Sequence, residues 1–219
     1  MQYDEWIPAL LCFLINKVEN ISEAEYIILL EKITIQNWVR RLGRAARLTI
    51  YYKLIRAILD GKTGDDLRQI FREEADNQEF SQLIKGEIYT KPFANAVLLR
   101  LEEGDKDDSV IKTYTGLVTI EHVLPQSRAE EYWQERFVEE EHQKLVHTLG
   151  NLTLLSGRKN YKAQNKPFPD KKKRYEEKHS KVSFDMTKFV CEQNDWTKDI
   201  IEQRQKDLVA LAESIWHIN

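Results

Sequence analysis

Cysteine is scarce in this chain. Cys12 and Cys191 are the only two among 219 residues, and the stretch between them offers neither a Cys-x-x-Cys zinc pair nor a disulfide framework. A reducing cytoplasm fits that scarcity. No apolar stretch approaches the roughly 18 residues that a membrane span needs. The most apolar run, Ile7 to Ile15, lacks a basic leader and a small-residue cleavage site, so it does not read as a signal peptide. There is no internal repeat and no Gly-rich phosphate loop. An excess of charge of one sign is missing too: 33 Lys and Arg stand against 36 Asp and Glu, a net charge of -3. That balance excludes a uniformly basic nucleic-acid coat protein, and 42% hydrophobic residues exclude a mainly disordered chain. The length suits one large or two small domains with a buried core. The helical pattern begins almost at Met1, which suits a piece of a longer protein.

What is present is, first, helical periodicity. Trp6, Leu10, Phe13, Leu14 and Val18 share one 3.6-residue face, and Ala24, Ile27, Ile28, Ile35, Trp38, Val39 and Leu42 give a second, broken or bent helix. Ser22 followed by Glu25 forms a capping-box start for it. Leu48 to Leu59 carries a third stripe, stopped by Gly61 and Gly64, and two short helices follow around Leu67 to Phe71 and Phe93 to Leu101. The acidic segment Glu102 to Asp108 reads as an exposed linker. Beyond it the texture changes. Thr115 to Leu124 reads as a strand closed by Pro125, Glu130 to Val146 as one helix with an acidic outer face, and Leu149 to Leu155 as a short second strand. Phe184 to Cys191 and Lys198 to Trp216 read as closing helices. The expected fold is mainly α with a small embedded β-hairpin. It divides into a helical scaffold over 1–108, a core over 109–180 and closing helices over 181–219. Trp6, Trp38, Trp133, Trp196 and Trp216 lie on apolar stripes and read as core.

Three polar positions interrupt this apolar strand, strand, helix background. Glu121 and His122 break the first strand next to Pro125, Asn151 opens the second, and Asn160 lies in the helix expected after it. A hairpin packed on a helix can bring a carboxylate, an imidazole and carboxamides around one small site. That set suits phosphodiester hydrolysis. Oxygen ligands from Glu121 and Asn160, with water and a substrate phosphate, match a hard, hydrated cation such as Mg2+ or Mn2+. His122 can accept a proton from attacking water near neutral pH, and Asn151 can tie the hairpin together as an orienting group.

The segments Thr-Ile-Glu-His-Val-Leu-Pro-Gln-Ser (119–127) and His-Thr-Leu-Gly-Asn-Leu-Thr-Leu-Leu (147–155), with Asn160 and Lys162, resemble the ββα-metal motif of HNH endonucleases. In particular they resemble the C-terminal nuclease domain of GmrSD-type, modification-dependent restriction endonucleases. Asn37-Trp38-Val39-Arg40-Arg41, Asn165-Lys166-Pro167-Phe168 and Lys171 to Tyr175 extend the likeness over most of the chain. The resemblance implies a metal-dependent DNA endonuclease in bacterial anti-phage defence. By it, His122 is the general base, Glu121 and Asn160 bind the metal, and Asn151 is the motif's central Asn. Two departures stand out: the wider motif has Asp where this chain has Glu121, and Asn160 replaces a His. Family members usually also carry an N-terminal nucleotide-hydrolysing sensor domain with an Asp-Gly-Gln-Gln-Arg motif. That motif is not in this sequence.

From Arg158 to Arg174 there are eight Lys or Arg residues against one acid, Asp170. The overall charge balance therefore hides a basic patch on an acidic body. Arg158, Lys159, Lys162, Lys171, Lys172 and Lys173 are candidates to hold a DNA backbone, by contacts that position a duplex without reading its sequence. His147 reads as a helix C-terminal cation or a group close to the phosphate, and Asn165 as a turn residue that could approach the site. His142, His179 and His217 read as solvent-facing. The acidic stripe Glu130, Glu131, Glu135, Glu139, Glu140 and Glu141 reads as a solvated helix face. The competing functional reading is a catalytically inert DNA-binding or interaction module that retains the same fold.

Overall fold

The computed structural model describes residues 3–104, 116–156, 163–176 and 184–219. Their architecture is mostly helical with one two-stranded antiparallel sheet. The chain forms two compact units, Met1–Leu83 with Ala212–Asn219, and Ile84–Leu211. No helix among the described residues is long and apolar enough to cross a membrane.

The first unit is built on α1 (Ile7–Ile15), α2 (Glu23–Val39), α3 (Arg44–Leu59), α4 (Gly64–Glu74) and α5 (Asn77–Ile84). Pro8 sits in the first turn of α1, where its missing N–H costs nothing. The hydroxyl of Ser22 accepts the Glu25 N–H at 3.1 Å, as its capping pattern suggests. The stripe expected to be broken or bent is not broken: it runs as one continuous α2, which ends where Arg41 turns to a left-handed φ of 57°. Gly64 does not stop a helix but begins α4. A Cβ there would lie 2.5 Å from the Ile21 Cβ, so glycine permits the close approach of the Asn20–Ile21 turn. Phe13, Tyr26, Leu30, Ile33, Leu54 and Phe71 form the core, with Phe13 stacked on Tyr26 at 3.9 Å.

The second unit holds α6 (Ala94–Glu103), β1 (Val118–His122), α7 (Glu131–Arg136), α8 (Glu139–Leu145), β2 (Leu152–Ser156), α9 (Phe168–Tyr175), α10 (Asp185–Glu192) and most of α11 (Lys198–Trp216). β1 and β2 pair antiparallel, with Glu121 opposite Thr153 and His122 opposite Leu152. They are not joined by a tight turn; the connection carries α7 and α8. The single helix expected over Glu130 to Val146 is split because Phe137 and Val138 take extended backbone angles. The break lets Phe137 join Trp133 in a core completed by Val123, Leu124, Leu145, Leu155, Phe168, Tyr175 and Trp196. Leu149–Asn151 is a single 3-10 turn, so β2 begins later than the apolar run implies.

Glu102 is buried rather than part of an exposed linker. Its carboxylate accepts the backbone N–H groups of Asp185 and Met186 at 2.6 and 2.8 Å, capping α10 in the role that acidic groups fill at helix N-termini. Residues 105–108 of that segment lie outside the described residues. Trp38, Trp133, Trp196 and Trp216 are core residues and Trp6 packs half-buried against the first core, as the stripes suggest.

Candidate active site

Glu121 and His122 are the last two residues of β1, and both are buried. The chain then turns through Val123 and Leu124, and this turn is fastened by Asn151. The Asn151 carboxamide oxygen accepts the Leu124 N–H at 2.7 Å and the Trp196 indole N–H at 3.1 Å. Its nitrogen donates to the carbonyls of Leu124 and Val146 at 2.8 and 2.9 Å. Both donors and both acceptor positions of the side chain are filled, so Asn151 is an orienting group and has no lone pair left for a ligand.

The 3-10 turn that presents Asn151 is itself seated on α11. A Cβ on Gly150 would lie 2.2 Å from the Ile201 carbonyl oxygen, so only glycine fits that approach. Gln205 Oε1 accepts the Gly150 N–H at 2.6 Å. The buried guanidinium of Arg204 donates to the carbonyls of Leu149, Gly150 and Leu152 at 3.2, 2.7 and 2.8 Å. The Leu149 carbonyl also accepts the Leu152 N–H, so Arg204 adds to a turn that is already closed and gathers its neighbouring carbonyls where it becomes a strand.

The imidazole of His122 meets that of His147, with 3.1 Å between Nε2 and Nδ1. Tyr89 packs its ring 4.1 Å from His122 and lies parallel to His147 at 5.5 Å. The His147 carbonyl accepts the Ile88 and Tyr89 N–H groups, which holds this aromatic wall in place. Burial, followed by the neighbouring His147, Lys171 and His142, lowers the His122 pKa to about 3. The ring is therefore neutral at physiological pH, and a basicity this low makes it a weaker proton acceptor than a free imidazole.

Glu121 is held from α9. The Lys171 ammonium donates to Glu121 Oε1 at 2.7 Å and to the His122 carbonyl at 2.5 Å, and the Tyr175 hydroxyl donates to the same Oε1 at 2.9 Å. Burial pushes the Glu121 carboxyl up against the pull of Lys171, and it pushes the Lys171 ammonium down. This overturns the expectation of a DNA contact at Lys171. Its side chain is 1% exposed, and the charge that looked like surface neutralises an internal carboxylate.

The remaining candidates fall in different places. Lys172 is half-buried and donates to the Gln193 carbonyl at 3.1 Å, whereas Lys173 is exposed beside Asp170. Asn165 is exposed and lines, with Tyr89, Glu121, His122, Gln126 and Lys171, a cavity of about 150 Å³. Asn160, Arg158, Lys159, Lys162 and His179 lie outside the described residues. His142 is not solvent-facing, since it is buried with Nε2 2.7 Å from the Pro125 carbonyl. His217 is also engaged, with Ser81 at 2.9 Å and the Phe80 ring. In the acidic stripe all the residues are exposed except Glu141, which is half-buried and paired with Lys198.

Sequence reasoning missed Tyr89, Tyr175 and the internal role of Lys171. The i, i+4 spacing of Lys171 and Tyr175 put both on one helix face, but the surrounding lysines concealed which face it was. Among the described residues no three His, Cys, Asp or Glu side chains cluster as a metal cage. A hydrated ion of the magnesium type does not require one, since it is held by one or two carboxylates, waters and substrate phosphates. The Glu121 carboxylate and the carboxamides of Gln126, Gln164 and Asn165 on the same cavity are oxygen donors of the kind such an ion takes.

A neutral imidazole and an anchored carboxylate thus stand together at the end of one strand, beside a small polar cavity in a mainly helical chain. The family described as GmrSD restriction endonucleases, C-terminal domain, matches residues 62–211. That span is well over half of the sequence and includes the whole second unit, so the chain belongs to this family. It is a restriction-endonuclease-type nuclease domain, for which DNA is the substrate class. A comparison with curated proteins finds no match.

Proposed function

We propose that the chain is a metal-dependent HNH endonuclease domain that nicks or cleaves DNA by phosphodiester hydrolysis. The observation that carries the reading is the juxtaposition of a neutral His122 with the Glu121 carboxylate on the wall of one cavity, in a chain of a restriction-endonuclease family. His122 takes the proton of the attacking water. Asn151 keeps His122 in register by binding the turn that follows it, and Glu121 with Asn160 would hold Mg2+ or Mn2+. When bound, such a cation stabilises charge on the phosphate and the leaving oxygen. The wider context we propose is cytoplasmic anti-phage defence, with a nucleotide-hydrolysing sensor domain as partner.

The engagement of Glu121 by Lys171 and of His122 by His147 favours one second reading, an inert DNA-binding or interaction module that keeps the fold. Supercoiled plasmid incubated with the protein and Mg2+ or Mn2+, with and without chelator, separates the two. The expected result is chelator-sensitive nicking that His122→Ala abolishes, with DNA binding retained. Nicking that survives His122→Ala unchanged would sink the role of His122, and its complete absence in the native protein would favour the inert module.

A further inference from the structure

We infer that Lys171 and Tyr175 are positioning residues that hold the Glu121 carboxylate by one oxygen and leave only the other to a divalent cation. The inference rests on the reading of Glu121 as a metal ligand given above. Both residues belong to α9, four positions apart, and both are buried, Lys171 at 1% and Tyr175 at 0% exposure. They converge on the same atom. Glu121 Oε1 receives the Lys171 ammonium at 2.7 Å and the Tyr175 hydroxyl at 2.9 Å. A carboxylate oxygen has about two lone-pair directions, so Oε1 is filled and a cation must approach Oε2. One-oxygen ligation suits the small, hydrated ions of the magnesium class.

The ammonium does a second task. It also binds the His122 carbonyl at 2.5 Å, so one group sets the end of the strand and the carboxylate of the preceding residue together. A buried ion pair is a costly way to stabilise a fold, because desolvation offsets much of the attraction, and apolar residues of similar size often serve as well. Its place on the wall of the His122 cavity accounts for it as the support that fixes the orientation of a ligand.

The test is the affinity of the purified chain for Mn2+ without DNA, read from the signal of free Mn2+ in electron paramagnetic resonance, with thermal unfolding alongside. The native chain is expected to bind Mn2+, and Glu121→Gln to lose that binding. Tyr175→Phe removes one hydroxyl and is expected to melt close to the native chain while weakening Mn2+ binding by about 10- to 100-fold, the range for supports of metal ligands. Lys171→Met leaves Glu121 unpaired and is expected to lose stability, which the double variant Glu121→Gln/Lys171→Met regains. If Tyr175→Phe binds Mn2+ as the native chain does, while Glu121→Gln does not, the positioning role is overturned and the ligand role of Glu121 survives. If the double variant is no more stable than Lys171→Met, the pairing is overturned. If the native chain binds no Mn2+, or Glu121→Gln binds it fully, the ligand reading fails and takes this inference with it.

Discussion

Every polar atom of the Asn151 carboxamide is bound inside the second unit, to two backbone carbonyls, one backbone N–H and one indole N–H. Removing it would orphan four buried groups at once, and each orphan costs about 1–3 kcal/mol. Asn151→Ala is therefore expected to destabilise the protein by more than about 3 kcal/mol, read as a shifted urea midpoint. A midpoint within error of the native one would refute that network. His122 makes a pH prediction. Its pKa falls from about 6.5 unfolded to about 3 folded, so below pH 6.5 the unfolded chain binds a proton that the folded chain refuses. The stability that neutral His122 contributes is complete above pH 6.5 and is lost as pH falls toward 3. Urea unfolding between pH 7 and 4 should show this loss, and His122→Gln should make the profile shallower; parallel profiles for the two proteins would contradict it.

At the scale of elements, the site depends on how α11 meets the 3-10 turn before β2. Gly150 lies against the Ile201 carbonyl, and Arg204 gathers three carbonyls of the turn. Gly150→Ala forces a methyl group against the Ile201 backbone carbonyl, and no side chain can rotate away to relieve it. A loss of about 1–3 kcal/mol or more is expected, the range for overpacking, together with weakened nicking because Asn151 moves with the turn. Circular dichroism melts and the plasmid assay on the same preparation check both. An unshifted melt would mean that α11 yields more easily than its hydrogen bonds imply.

Across the whole molecule, the basic segment resolves into residues with different tasks. Lys171 faces inward, Lys172 is tied to the Gln193 carbonyl, and Lys166 and Lys173 are exposed. Among the described residues, exposed cations such as Lys166 and Lys173 are the ones best placed to neutralise phosphates. Reversing charge at Lys166 and Lys173 should weaken DNA binding and reduce its salt slope by about one for each phosphate no longer neutralised. Binding that keeps its affinity and salt slope would make these positions plain solvated surface.

Much was legible before the structure, because the relevant signals are local. Helix periodicity placed the Lys198–Trp216 helix at its observed ends, and the Trp positions on apolar stripes marked four core residues correctly. The segments around Glu121, His122 and Asn151 stood out because polar residues interrupt short apolar runs there, although α7 and α8 lie between the two strands that bring them together. Tertiary structure alone decided which charges are internal. Nothing local distinguishes Lys171 from Lys173, since both lie in one run of cations, and Glu102 resembles the other acids of its segment. Their burial is set by what packs against them, α9 on the end of β1 and α10 on the end of α6. A charged side chain is buried only where a distant partner repays its desolvation, and that partner is a property of the fold.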